Sequence, residues 1–179
     1  MPSHIALLRA VNLGSHNKIA MSDLRELLIK LGLREPMTLL QSGNVTFSSS
    51  KKDSAALELL LERGADKHLG LQTPFLVRSA AEWNEIVEAN PYLREAKSDP
   101  ARLVAMVMKE APDRAAIQSL QTSFKGPEYF TIVGSCAYVV YPGGQGTSKL
   151  SLALIERKLG TIATGRNWNT VLKVQALLT

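Results

Sequence analysis

The sequence predicts an α+β fold of two ferredoxin-like (βαββαβ, α/β-plait) subdomains in tandem. Three observations support this prediction. The 179 residues, of which 45% are apolar and 21% charged, suffice for one large domain or two small ones. Short apolar runs alternate with helical stripes of leucine, and this order of elements occurs twice along the chain. Each half also has a glycine-containing turn between two short strands, which is typical of a β-hairpin.

The first eighty residues predict one βαββαβ unit. Residues 4–11 form an apolar run that only Arg9 interrupts, and this pattern indicates a buried strand. A helix then carries Leu24, Leu27, Leu28 and Leu31 on one face and ends at Gly32. The remaining predicted elements are a strand at 36–41, a strand at Asn44–Ser48, a helix with Leu57, Leu60, Leu61 and Ala65 on one face, and a strand at 73–78.

The second half repeats this order after a helix at 81–89 and a polar stretch, 94–100, that we expect to be a linker. The predicted elements are a strand at 102–109, a helix with Pro112 in its first turn, strands at Tyr129–Val133 and 137–141, a helix at 148–159, a strand at 161–164 and a helix at 169–178. The expected domains are residues 1–80 (first subdomain), 81–100 (helix and linker) and 101–179 (second subdomain with the C-terminal helix).

Composition argues against several classes of protein. No stretch approaches the ~20 apolar residues of a membrane span, and the N-terminus lacks a signal-peptide pattern, so we expect a cytoplasmic location away from membranes. The single cysteine, Cys136, has no internal disulfide partner, and His4, His16 and His68 lie far apart in the sequence. We therefore expect neither a metal site nor a cofactor.

Positive charge is concentrated in the second half of the chain. Residues 1–90 contain ten basic and ten acidic residues, whereas residues 91–179 contain eleven and six, so the net charge of +5 comes from the second half. A local positive field would attract a phosphate, a nucleic acid or an acidic metabolite. The alternative is an ordinary solvated surface of lysine and arginine.

Two loops of the first subdomain are expected to meet at one edge of its sheet. The first and third strands of a split βαβ unit are adjacent and antiparallel, so the loop that leaves the first strand meets the turn that enters the third. Ligand contact is one interpretation; a structural pair for the arginine and simple turn formation by the asparagines are the others. The candidate ligand-binding residues here are Arg9, Asn12, Asn17, Lys18, Ser42, Gly43 and Asn44.

A second candidate cluster combines the glycine loop at 142–149 with the segment at 165–169. If a helix begins at residue 148, its free N–H groups could hold an anion. The loop is not a Walker A motif, because Ser148 and Leu150 stand where that motif requires glycine and serine or threonine. The alternatives are a flexible turn capped by Thr147 or Ser148 and a core tryptophan. The candidates are Gly146, Ser148, Lys149, Arg166, Asn167 and Trp168.

Three segments resemble an uncharacterised bacterial family, domain of unknown function 1697. They are ALLRAVNLGSHNKIAMSDLRELL at 6–28, LQSGNVTF at 40–47 and TGRNWNTVLKV at 164–174. The resemblance implies two α/β-plait subdomains and no known reaction. Motif residues of the family fall on Arg9, Asn12, Gly14, Asn17, Lys18, Met21, Gln41, Ser42, Gly43, Asn44, Thr164, Arg166, Asn167, Trp168 and Thr170. The chain departs from the family pattern at Ala10 and Ser15, where glycine is common, and at Leu39, where tyrosine is common.

The expected function is binding of a small anionic ligand, such as a nucleotide or a phosphorylated metabolite, at the polar loops. One alternative is binding of single-stranded nucleic acid, for which Phe47, Tyr129, Phe130, Tyr138 and Tyr141 would have to offer stacking surfaces. The other is a metal-independent phosphoryl or acyl hydrolase, in which Arg9 would clamp an oxyanion and Asn44 would orient water. The sequence leaves open whether the chain is an enzyme.

Overall fold

The structure is a computed structural model that describes residues 1, 3–12, 17–51 and 53–178. Its strands are β1 (Ser3–Leu8), β2 (Arg34–Leu39), β3 (Asn44–Ser48), β4 (Phe75–Ser79), β5 (Leu103–Met108), β6 (Tyr129–Val133), β7 (Cys136–Val140) and β8 (Ala163–Asn167). They form two four-stranded antiparallel sheets, in the orders β2-β3-β1-β4 and β6-β7-β5-β8. These are the sheets of two tandem ferredoxin-like units, as the sequence predicted.

Helices flank both sheets. They are α1 (Met21–Lys30), α2 (Ser54–Leu69), α3 (Ala80–Glu88), α4 (Leu93–Ser98), α5 (Arg114–Ser123), α6 (Leu152–Leu159) and α7 (Trp168–Leu178). The chain divides into two compact units, one of Met1–Glu85 with Lys173–Thr179 and one of Ile86–Leu172. We call them the first and the second unit. No helix in the described part of the chain is both long and apolar enough to cross a membrane.

The core of the first unit lies between its sheet and its helices. Ala6 and Leu8 of β1 and Phe47 of β3 are at most 2% exposed and pack with the leucine stripes of α1 and α2. These stripes predicted the two helices because residues three and four apart lie on one helix face. Burial of this face therefore holds α1 and α2 on the sheet.

Carboxylates of α2 and α6 accept hydrogen bonds at the outer edge of one edge strand in each sheet, β4 and β8. In the first unit, Glu62 accepts from the Phe75 N–H at 3.0 Å and Glu58 accepts from the Val77 N–H at 2.9 Å. In the second unit, Glu156 accepts from the Ala163 N–H at 2.9 Å. These bonds satisfy donors that an edge strand would otherwise present to another chain.

Four predicted elements of the second half differ in detail from the structure. The expected linker at 94–100 contains a helix, α4, and the last strand covers Ala163–Asn167 instead of 161–164. Pro112 lies before α5 because Asp113 is the N-cap, whose carboxylate accepts from the Ala116 N–H at 2.7 Å. The fourth difference, at the start of α6, changes a candidate site and is described with it.

Candidate functional site

The loop after β1 and the turn before β3 meet at one edge of the first sheet. In the β1–β3 ladder Leu7 lies opposite Asn44, and the Leu8 N–H donates to the Gly43 carbonyl at 2.8 Å. The Asn12 Nδ2 donates to the Gln41 carbonyl at 2.7 Å and joins the two segments through a side chain. We call residues 9–12, 17–19 and 40–44 the rim; residues 13–16, which include the motif positions Gly14 and Ser15, lie outside the described residues.

The Asn12 amide closes the loop on itself. Its Nδ2 also donates to the Ile19 carbonyl at 3.1 Å, and its Oδ1 accepts from the Ile19 N–H at 2.9 Å. The backbone N–H of Asn12 donates to the Asn17 carbonyl at 3.1 Å. These bonds use both amide protons, so Asn12 shapes the rim and has no proton left for a ligand.

Asn44 has a similar structural role in the turn. Its side chain is fully buried, and its Nδ2 donates to the Leu39 carbonyl at 2.8 Å and to the Ser42 Oγ at 3.0 Å. A carboxamide in this position stabilises the hairpin. It has no solvent-facing surface with which to orient a water molecule.

Left-handed backbone is concentrated at the rim. The φ angles are 52° at Ala10, 55° at Asn12, 50° at Asn17, 60° at Leu40 and 79° at Gly43. A residue with a Cβ pays about 1–2 kcal/mol for this conformation. Glycine would adopt the φ of Ala10 without this steric cost.

Two residues of the described part of the rim are basic. Lys18 is exposed, and Arg9 is half-buried. The backbone of Arg9 is fixed, because its N–H donates to the Pro74 carbonyl at 3.2 Å and its carbonyl accepts from the Thr73 hydroxyl at 2.5 Å. The rim thus contains the exposed residues Asn17 and Lys18 and an arginine with an anchored main chain.

The second candidate cluster also lies at one sheet edge, in the second unit. In the ladders of β5, Leu103 pairs with Val140 and Val104 pairs with Asn167, so the segments that follow β7 and β8 leave at the same end. Tyr141 N–H donates to the Arg102 carbonyl at 2.9 Å. The expected convergence of the glycine loop and the segment after β8 is therefore present at the level of the backbone.

The glycine loop does not open a helix, which corrects the expectation for Gly146, Ser148 and Lys149. A 3₁₀ turn covers Gln145–Thr147, and α6 begins only at Leu152 with Ser151 as its N-cap. The helix N-terminus that was expected to hold an anion beside Lys149 is therefore absent from that position.

Leu150 gives the physical reason for the late start of α6. Its side chain is fully buried and its carbonyl accepts from the Tyr141 hydroxyl at 2.9 Å. The Ser148 Oγ accepts from the Leu150 N–H at 2.9 Å and forms a local turn. These contacts require an extended chain between the loop and the helix, and they leave Gly146 and Lys149 exposed.

Arg166 lies inside β8, not in the loop that follows it. The side chain is 8% exposed, and its Nη1 donates to the Thr164 hydroxyl and to the Gly165 carbonyl, each at 2.8 Å. Burial lowers the pKa of the guanidinium to about 10. Arg166 is therefore held in a desolvated, hydrogen-bonded position on the sheet.

Asn167 and Trp168 stabilise the start of α7. The Asn167 Oδ1 accepts from the Thr170 N–H at 3.0 Å and from its hydroxyl at 3.2 Å, as an N-cap does. Trp168 is 4% exposed, and its ring centroid lies 6.4 Å from that of Tyr138. The burial of Trp168 corresponds to the interpretation of this residue as a core tryptophan, and the contacts of Asn167 show a capping role.

Sequence reasoning missed two charged residues of the first unit, Arg78 and Glu58. Both are buried, and the Arg78 Nη1 lies 3.7 Å from the Glu58 Oε1. The signal in the sequence was an arginine near the end of a predicted strand. The pattern of α2 gave no sign that one of its glutamates faces the sheet.

Family comparison places the chain among known sequences. The model of a family described as a protein of unknown function, DUF1697, matches residues 1–138, which is more than half of the chain. The chain belongs to this family. No curated protein matches the sequence of this DUF1697 member.

A solved structure has the fold of this DUF1697 member. It is described as the conserved bacterial protein SP0830 from Streptococcus pneumoniae, with a TM-score of 0.79, 23% sequence identity and coverage of 99% of each chain. At this identity the likeness shows the fold alone.

The aromatic residues that could stack on bases differ in exposure. Phe47, Tyr138 and Tyr141 are at most 2% exposed, whereas Tyr129 is 41% exposed. The Tyr129 hydroxyl donates to Glu95 at 3.0 Å. A stacking surface on the second sheet would therefore depend on Tyr129, because the half-buried Phe130 packs against the core of the second unit.

Proposed function

We propose that the chain binds a small anionic ligand, a nucleotide or a phosphorylated metabolite, at the rim of the first sheet. The ligand would contact the cationic side chains of Arg9 and Lys18 and the exposed amide of Asn17. Asn12, Gly43 and Asn44 would hold the backbone of the site in shape.

The concentration of left-handed backbone carries this proposal. The described residues contain five non-glycine residues with positive φ, and four of them, Ala10, Asn12, Asn17 and Leu40, lie in the rim. Such residues cost of order 1–3 kcal/mol each and cluster at ligand-binding segments, where a fixed backbone shape is part of the function. Stabilising hydrogen bonds from Asn12 and Asn44 support the same backbone at the same place.

The charge of the rim supports an anion as the ligand. Its described residues include Arg9 and Lys18 and no aspartate or glutamate. Arginine provides bidentate geometry for a phosphate or a carboxylate, and lysine adds a mobile point charge. We also propose a cytoplasmic location, since the only cysteine is buried and forms no disulfide, as is usual in a reducing compartment.

Isothermal titration against a panel of nucleotides and phosphorylated metabolites tests the proposal. At least one compound should bind the native chain, and Lys18→Gln and Arg9→Gln should each weaken binding about tenfold, because each removes a charge-assisted contact. Lys125→Gln is the matched control, since it removes an exposed charge in the second unit. An absence of binding at millimolar ligand, or equal affinities for all four proteins, would show that the proposal is wrong.

A further inference from the structure

A groove of about 440 Å³ runs along the outer face of α2 in the first unit, away from the rim residues. Its size is in the range of small-molecule sites. It is lined by Leu31, Lys51, Ala56, Leu59, Leu60, Arg63, Gly64, Lys67 and His68.

The groove is polarised along the helix. Ala56, Leu59 and Leu60 form its apolar part, whereas Arg63, Lys67 and His68 lie further along α2. Positions 56 and 67 are separated by about 16 Å at the rise of an α-helix. Leu59 is 52% exposed, so the apolar part is open to a ligand.

The positive charge of the groove is not balanced within it. None of its nine lining residues is acidic, although residues 1–90 contain equal numbers of acidic and basic residues. Lys67 and His68 lie in the last turn of α2, where cations stabilise the helix dipole. Arg63 and Lys51 lie outside that turn, so the dipole does not account for them.

The ionisation of His68 is sensitive to the positive charges at this end of the groove. Loss of hydration, together with the charges of Lys30 and Lys67, lowers the pKa of the imidazole. The acidic residue of the neighbouring turn, Asp66, accepts instead from Gln72 at 3.1 Å. An anion placed beside Lys67 would oppose this field and favour the protonated imidazole.

We propose that this groove binds a single-chain amphiphile with an anionic head group, such as a fatty acid or an alkyl phosphate. The head group would lie against Arg63, Lys67 and His68, and the chain would cover Ala56, Leu59 and Leu60. Charge complementarity at one end and exposed apolar surface at the other fit this ligand better than a purely polar anion. The site and its ligand chemistry are separate from those proposed for the rim.

Titration with n-decyl phosphate, kept below its micelle concentration, tests the proposal by calorimetry and by NMR of the His68 imidazole. We expect saturable binding of one molecule per chain and a rise in the pKa of His68. Arg63→Gln/Lys67→Gln should weaken binding about fivefold or more, since each exposed ion pair contributes up to about 1 kcal/mol. Leu59→Ser should also weaken binding, because it removes apolar contact area from an exposed position without disturbing the core.

Matched controls distinguish the contributions of the charged head group, of the alkyl chain and of the location of the cations in the protein. Arg114→Gln/Lys125→Gln removes two exposed cations of the second unit and should bind as the native chain does. Decyl glucoside, with the same chain and a neutral head, and inorganic phosphate, with no chain, should each bind at least fivefold more weakly. Because binding in the groove is followed at the His68 imidazole, which lines it, failure of the rim proposal would not affect this one.

Three outcomes would overturn the proposal. Inorganic phosphate or decyl glucoside could bind as tightly as decyl phosphate. The affinity could be the same in the Arg63→Gln/Lys67→Gln and Leu59→Ser variants as in the native chain. Light scattering could also show a dimer that Leu59→Ser dissociates, in which case a second copy of the chain covers the groove.

Discussion

Arg78 on β4 and Arg166 on β8 occupy the same position in their respective sheets. Arg78 lies opposite Ile5 of β1, and Arg166 lies opposite Ala105 of β5. Each donates from Nη1 to the carbonyl of the residue before it, at 2.7 Å for Arg78 and 2.8 Å for Arg166. The duplication of the fold therefore extends from the strand order to individual hydrogen bonds.

The partners of Arg78 lead to the first prediction. Glu58 lies 3.7 Å from Arg78 and also accepts the Val77 N–H. Glu58→Ala should lower the free energy of unfolding by about 3 kcal/mol, because it leaves a buried guanidinium without its carboxylate and removes the acceptor of a buried N–H. Urea unfolding measures this loss.

Glu62→Ala is the matched control for Glu58→Ala. Glu62 accepts the Phe75 N–H from the same helix but is only half-buried, so its removal should cost about 1 kcal/mol. Glu58→Gln keeps an oxygen acceptor and loses the charge. Its loss in the free energy of unfolding should lie between those of Glu58→Ala and Glu62→Ala. Equal losses for Glu58→Ala and Glu62→Ala would show that the ion pair contributes nothing.

Gly43 and Gly134 give a second, paired prediction. Both have positive φ, 79° and 56°, in hairpin turns. A Cβ on Gly43 would lie 2.7 Å from a Val11 methyl group and 2.8 Å from the Leu8 Cβ, whereas a Cβ on Gly134 meets nothing within 4 Å.

Alanine at the two positions should therefore have different costs. Gly134→Ala should lose about 1–2 kcal/mol from the left-handed backbone alone. Gly43→Ala should lose a further 1–3 kcal/mol from overpacking in the rim. Thermal and urea unfolding of both variants measure the difference, and equal losses would contradict the contact at Gly43.

Ala10→Gly is a third prediction, and this substitution should raise the free energy of unfolding instead of lowering it. Ala10 has a φ of 52°, so glycine removes about 1–2 kcal/mol of strain at an entropic cost of about 0.5–1 kcal/mol. The free energy of unfolding should rise by up to about 1.5 kcal/mol. Ala115→Gly, in the exposed first turns of α5, should instead lower it by up to about 1 kcal/mol, and a loss in both variants would refute the argument.

Asn12→Asp is a fourth prediction and separates rim structure from ligand contact. The substitution keeps the shape of the side chain but replaces the amide donor that faces the Ile19 and Gln41 carbonyls. The free energy of unfolding should fall by about 1–3 kcal/mol. Asn169→Asp is the control, because Asn169 is exposed; an equally small change in both would show that the Asn12 bridge is dispensable.

The fold was largely predictable because its signals are local. The leucine stripe at Leu24, Leu27 and Leu28 marked α1, and the turn at Gly43 marked the β2–β3 hairpin. Once the strand order was assumed, the antiparallel pairing of Leu7 with Asn44 required the rim to assemble. The meeting of its two loops thus followed from topology without any ligand information.

Elements held by tertiary contacts were missed for a physical reason. Helix α4 has no buried residue and so no apolar stripe; instead the Tyr129 hydroxyl donates to Glu95, and the neighbouring Tyr92 hydroxyl lies 2.8 Å from that of Thr131. The same holds for Glu58, which sequence patterns assign to solvent because a glutamate on an amphipathic helix is usually exposed. The saturation of the Asn12 and Asn44 amides likewise depends on carbonyls from other segments, which a sequence does not reveal.

Two buried tyrosines of the second unit predict how the free energy of unfolding changes at alkaline pH. The Tyr138 hydroxyl donates to the Ile86 carbonyl at 2.5 Å and the Tyr141 hydroxyl to the Leu150 carbonyl at 2.9 Å. Burial raises the pKa of both phenols above the ordinary value of 10.0; for Tyr138 the nearby Cys136 adds to this effect, and for Tyr141 the nearby Glu128 does. Above pH 10 the unfolded chain therefore loses these protons first, and the free energy of unfolding falls as pH rises, by up to about 1.4 kcal/mol per pH unit for each tyrosine.

Arg166 has the opposite effect on the free energy of unfolding above pH 10. Because burial lowers its pKa, the unfolded chain binds the extra proton, and this contribution to stability rises with pH. Comparison of the native chain with Tyr138→Phe and Tyr141→Phe cancels this contribution, because all three proteins keep the arginine. Each variant should be less stable than the native chain by about 1 kcal/mol at pH 7, where it lacks one hydrogen bond. The difference should shrink between pH 10 and 11 in urea unfolding, because phenylalanine has no proton to lose; a constant difference would show that the tyrosines ionise equally in both states.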